Sequence, residues 1–233
     1  MTGPRRGSAR RRESTTRQGG ELTRRLHPTQ QRARDTVTHL LDTAAALLAE
    51  GGLDDFNTNL LAERAGVRVR TVYRYFPNKL AVITAVAERM TEEWDRWFGG
   101  FATLADPASD WREVWRGAID AFVSGIRESP GGAAIRRTMR AVPELHRIDQ
   151  RDNERLAAQL AVALQKRGVD LPRARLLLLS RMLVETATAV IDLSLDQTAP
   201  RARVLLGDLR AMHIAFLAPI LDGPSSRHEL RTD

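Results

Sequence analysis

Apolar positions along this 233-residue chain recur at helical spacing almost from end to end. Val37, Leu41, Ala44 and Leu48 fall at i, i+4, i+7 and i+11, one face of a helix expected over about 29–50 and ended by Gly51-Gly52. Asn57 suits the N-cap of a short helix over 58–65, because its side-chain oxygen can accept a free N–H of the first turn. Gly66 punctuates, and a third helix is expected over 68–76. Pro77-Asn78 stops it, and Asn78 caps a fourth over 79–98. Beyond Gly99-Gly100 the same period marks 111–128, 133–139, 151–167, 172–195 and 202–220. No stretch alternates with period two, so strands are not expected and the fold class reads as all-α. The run 176–195 is strongly apolar, but Ser180, Arg181, Glu185 and Asp192 interrupt it, which points to a buried helix and away from a membrane span.

The segment Phe56 to Leu80 carries a finer pattern. Leu60, Leu61 and Ala65 give its first helix an apolar face. Gly66 allows a left-handed backbone that a side chain would resist, and Val67, Val72 and Phe76 give the next helix an inner side. What remains of that helix is basic and aromatic and is expected to face out: Arg68, Arg70, Thr71, Tyr73, Arg74 and Tyr75. A short exposed helix of this composition suits the major groove of DNA, which admits one helix and presents acceptors at guanine N7 and O6.

Charge sharpens the picture. Residues 1–28 hold eight arginines against Glu13 and Glu21, while the whole chain has a formal charge of +7, so the body is nearly neutral and carries a basic arm. Within residues 1–26, read as disordered, Arg5, Arg6, Arg10, Arg11 and Arg12 either contact DNA or serve only as a solubilising tail. There is no cysteine, which excludes disulfides and thiolate metal sites and fits a cytoplasmic location. No apolar core follows the N-terminal charges, so no secretory signal is expected. The five histidines are scattered, and there is no Gly-rich phosphate loop and no nucleophile elbow. The expectation is a non-enzyme without metal or cofactor.

The quoted residues resemble the DNA-binding signature of the TetR family of transcriptional regulators. Ala65-Gly66-Val67 forms the turn, followed by Thr71-Val72-Tyr73-Arg74-Tyr75-Phe76 and then Lys79; Leu40 to Gly52 is similar to the family's first helix. Leu80 stands where the family usually has an acidic residue, and Asn57-Thr58 where it has a threonine pair. The resemblance implies that Tyr73, Tyr75 and Lys79 grip phosphates, with Thr58 beside the Asn57 cap, and that Arg68, Val69, Arg70, Thr71 and Arg74 form the base-reading surface. Tyr75 is either a phosphate contact or partly core, and Arg74 either reads or is simply solvated.

It further implies a domain order: an arm over 1–26, a three-helix helix-turn-helix domain over 27–80, a helical effector-binding and dimerisation domain over 81–222, and a flexible tail over 223–233. The expected function is a homodimeric repressor on a palindromic operator, released by an apolar or aromatic small molecule and not membrane-bound. An architectural protein or activator without effector is the alternative. Dimerisation falls to the last two long helices, whose stripes Leu176, Leu179, Leu183, Val190 and Leu205, Leu209, Met212, Phe216 serve the monomer core, the partner, or both. Pocket candidates are Trp94, Trp97, Phe98, Phe101, Trp111, Trp115, Phe122 and Met139, with His146, Glu185 and Thr186 as polar candidates. Each aromatic is either pocket or plain core.

Overall fold

The computed structural model describes residues 31–97 and 100–223, apart from the side chains of 94–97 and 100. Among these residues there are only helices: α1 (Gln31–Asp55), α2 (Thr58–Arg64), α3 (Val69–Tyr75), α4 (Lys79–Trp97), α5 (Gly100–Leu104), α6 (Trp111–Glu128), α7 (Gly132–Ala141), α8 (Pro143–Lys166), α9 (Arg173–Leu195) and α10 (Ala199–Leu221). The expected arm over 1–26 and most of the tail over 223–233 lie outside the described residues.

The anticipated stripe of α1 is the buried one: Val37, Leu41, Ala44 and Leu48 pack with Leu61 of α2, Val72 and Phe76 around α3, and Val82, Ile83 and Val86 of α4. The same apolar core continues without a break into α6 to α10. The long helices α8, α9 and α10 pack in succession, α9 in the middle.

Three elements depart from the pattern read in the sequence. α1 runs one turn past Gly51-Gly52; Gly52 takes φ 67° and ψ −160° and kinks the helix there without ending it. The short α5 was not expected. α8 begins at Pro143, well before residue 151, with the proline in its first turn where its missing N–H costs nothing. Its early stripe was concealed because three of the residues that face inward, Asp149, Asp152 and Asn153, are polar.

Asp152 pairs with Arg155, and Asn153 with Glu185 and Thr188, while Asp149 is held inside by Arg136 of α7, 1 % exposed. Its guanidinium holds Asp192 of α9 through two bonds (Nε–Oδ1 2.8 Å, Nη2–Oδ2 2.7 Å) and Asp149 of α8 through Nη1 at 2.5 Å. Arg137 and Arg140 add a shared partner, Asp196, at 3.2 and 2.9 Å. α7 is thus tied by charge to α8 and α9. At its other end it abuts α1: Gly131, at φ 73°, lies so close that a Cβ there would come 2.4 Å from the Ala45 carbonyl oxygen.

Candidate nucleic-acid interface and ligand cavity

The turn between α2 and α3 forms as its sequence dictates. Asn57 Oδ1 accepts the Leu60 N–H at 2.9 Å and caps α2. Gly66 takes φ 64°, the left-handed backbone the turn needs. His39 of α1 holds the turn from behind, its Nε2 3.2 Å from the Ala65 carbonyl oxygen. Asn78 Oδ1 accepts the Ala81 N–H at 2.8 Å and starts α4.

This frame turns Val72, Tyr75 and Phe76 into the core and leaves Arg68, Arg70, Tyr73 and Arg74 exposed, with Val69 and Thr71 half-buried. Tyr75 therefore corrects the expectation that it faces out. It is 5 % exposed and its ring belongs to the core, with the Arg74 guanidinium 5.7 Å from its centroid. The register explains this: Tyr75 follows Val72 by three residues and shares its face. Tyr73, 42 % exposed, places its hydroxyl 3.0 Å from the buried Thr58 Oγ1. Whichever hydroxyl donates, the other keeps a proton for an outside acceptor. Lys79 gives one N–H to the Leu53 carbonyl oxygen at 2.6 Å, just past the Gly52 kink, and retains two further protons on its ammonium. Thr58, Tyr73 and Lys79 are thereby fixed relative to the exposed face of α3.

A second feature lies among α5, α6, α8 and α9. There an apolar cavity, partly open to solvent, is lined by residues including Phe101, Trp115, Phe122, Leu160, Thr188 and Ile191. Of the candidates read from sequence, Phe101, Trp115 and Phe122 are in its wall. Trp111, Met139, His146, Glu185 and Thr186 are not. Trp111 is buried and gives its indole N–H to Asp222 at 2.8 Å, while Arg112 stacks 4.3 Å over its ring. Met139 is fully enclosed in the core. Glu185 accepts from Arg181 at 2.5 Å and Asn153 at 3.0 Å and belongs to an ion-paired network. The side chains of Trp94 and Trp97, and residue Phe98, lie outside the described residues. Sequence reading missed the aliphatic side of the cavity on α8 and α9, since aliphatic residues at helical spacing look the same whether they line a void or fill a core.

One face of α9 and α10 carries apolar side chains that none of the described residues covers. Leu178 is 66 % and Val204 62 % exposed, and Met182, Leu193 and Met212 are exposed beside them. Of the two expected stripes, Leu176, Leu179, Leu183 and Leu209 serve the core of the protomer, while Met212 is on the exposed face. α10 is long and apolar enough to cross a membrane by length and composition, with mean hydropathy 1.6 over its most apolar window. It packs on α6 and α9, and Arg210 on it is paired with Asp120 of α6.

Residues 40–86 match the sequence profile of bacterial regulatory proteins of the tetR family, and residues 110–217 that of the tetracyclin repressor-like C-terminal domain. The HTH-type transcriptional regulator EthR of Mycobacterium tuberculosis is 34 % identical over 117 residues, 48 % of this chain and 53 % of that protein. Tetracycline repressor protein class C of Escherichia coli is 30 % identical over 111 residues, 47 % of this chain and 48 % of that protein. The chain thus matches these curated relatives over about half their length. A solved TetR-family transcriptional regulator from Streptomyces coelicolor superposes with a TM-score of 0.62 at 28 % identity, over 82 % of this chain and 99 % of that one. The helix-turn-helix on α2 and α3, the helical body behind it and these matches agree: the chain belongs to the TetR family of bacterial regulatory proteins.

Proposed function

We propose that this chain is a cytoplasmic repressor that binds a palindromic DNA operator as a homodimer and lets go when an apolar small molecule enters the cavity among α5, α6, α8 and α9. The observation that carries the reading is the two-sided character of α3: Val72, Tyr75 and Phe76 are locked into the core, while Arg68, Arg70, Tyr73 and Arg74 are presented outward. In this reading Arg68 and Arg70 reach base edges, with Val69, Thr71 and Arg74 beside them. Tyr73, Thr58 and Lys79 hold phosphates. The arm arginines Arg5, Arg6, Arg10, Arg11 and Arg12 add salt-dependent affinity.

A single seven-residue recognition helix reads too few base pairs for a selective operator, so a second copy supplies the other half-site. The exposed apolar face of α9 and α10 is the surface for that copy. Leu178, Met182, Leu193, Val204 and Met212 would be covered there, and apolar surface in one patch is what an isologous interface requires. The cavity supports the sensor function: it is apolar and built on α9, whose other face belongs to the proposed interface. Ligand would favour a dimer whose recognition helices no longer match successive major grooves.

Selection of duplexes from a random pool, at low and at physiological salt, tests this reading. A two-fold symmetric sequence with half-sites about one helical turn apart is expected. Recovery of no preferred duplex would refute operator recognition.

A further inference from the structure

One residue of the cavity wall carries a hydrogen-bond donor with no partner among the described residues. α6 carries two tryptophans one turn apart, both buried. Trp111 gives its indole N–H to Asp222. Trp115, 5 % exposed and part of the cavity wall, gives its N–H to no partner among the described residues. An unmade hydrogen bond on a buried donor is costly, and such groups in native folds call for an explanation.

The surroundings narrow what could satisfy it. His213 of α10 packs edge-on against the Trp115 ring, centroids 5.6 Å apart at 62°, and fixes the indole plane. His213 is itself held, with Nε2 2.8 Å from Thr186 Oγ1. The other polar group in the wall is Thr188. Its hydroxyl proton is directed to the Val184 carbonyl oxygen (2.9 Å) and to Asn153 Oδ1 (3.3 Å), so Thr188 has no proton to offer a ligand. Among the described residues no charged side chain lines the cavity. An anion or cation placed there would lose its hydration without compensation.

We propose that the effector is a neutral, largely apolar molecule carrying one hydrogen-bond acceptor oxygen, and that Trp115 Nε1 takes that oxygen. A ketone, ester or ether fits; a carboxylate, phosphate or amine does not. Trp115 is then the specificity-determining residue of the cavity, and His213 a positioning residue that orients its indole. The inference rests on the reading of this cavity as the effector site.

Binding of two matched probes tests it: octanophenone, and octylbenzene, which has the same skeleton without the carbonyl. Trp115→Phe is expected to weaken octanophenone about three- to tenfold, the range of one neutral hydrogen bond, and to leave octylbenzene within twofold. Should Trp115→Phe fail to fold, benzothienylalanine at position 115 keeps the ring and removes only the N–H, with the same expectation. Equal weakening of both probes, or none, would overturn the hydrogen bond while leaving the cavity reading standing. Binding of neither probe to the unmodified protein would overturn the cavity reading and this inference with it.

Discussion

Arg136 and Asp192 meet in a two-pronged ion pair between α7 and α9, sealed from solvent on both sides. With Asp149 on α8 completing the set, one guanidinium joins three helices. Removing the cation alone would leave two buried carboxylates, with Arg140 still 4.0 Å from Asp192. Arg136→Met is therefore expected to lower stability by about 3–5 kcal/mol. Replacing all three, as Arg136→Met with Asp149→Leu and Asp192→Leu, is expected to restore most of that loss, because an apolar cluster of similar volume needs no compensation. Urea denaturation of the two variants checks this. A single variant as stable as the parent would contradict the burial.

α7 also meets α1, and there the constraint is backbone. Gly131 and Gly66 both take positive φ, so alanine at either is expected to cost about 1–2 kcal/mol from conformation alone. Gly66 has open space around its Cβ position, whereas at Gly131 the methyl would meet the Ala45 carbonyl oxygen. Gly131→Ala should therefore lower the melting temperature clearly more than Gly66→Ala. The reverse order would show that α1 and α7 are not in close contact.

His213 makes stability depend on pH. Burial holds its pKa down to about 4, against 6.5 when unfolded. The unfolded chain therefore binds a proton that the folded chain refuses between those values, and this contribution falls as pH drops from about 6.5 to about 4. His213→Phe keeps an aromatic ring against Trp115 and should flatten that part of the profile. Chemical denaturation at pH 7, 5.5 and 4.5 measures it. A parental slope in the variant would assign the effect elsewhere.

The outer face of α9 and α10 bears on assembly. Leu178→Glu with Val204→Glu places charge on two of the most exposed apolar positions and alters no buried residue. The variant is expected to sediment as a monomer where the parent sediments as a dimer, with its helical circular dichroism unchanged. A dimer of unaltered strength would place the interface elsewhere.

Much of this was legible in the sequence because local rules govern it. The Asn57 and Asn78 caps, the left-handed Gly66 and the inner face of Val72 and Phe76 follow from capping, backbone sterics and helical period, and each is found in the fold. What was hidden depends on partners distant in the chain. Asp149 reads as a solvent residue until Arg136 is placed beside it, so the start of α8 went unseen. Tyr75 reads as an outward aromatic until its register with Val72 buries it. Trp111, Trp115 and Met139 look alike as candidates; only the fold separates a residue latched to Asp222, one in a cavity wall and one in the core.

The central claim is that the exposed face of α3 enters duplex DNA, and the most direct measurement compares three substitutions on a duplex selected by the protein. Tyr73→Ala and Lys79→Ala are expected to weaken every sequence alike, each lowering the salt dependence of binding or leaving it unchanged. Arg70→Ala should cost roughly 1–3 kcal/mol on the preferred duplex and relax the choice at one base pair only. Unaltered affinity in all three folded variants would mean that this helix does not touch DNA.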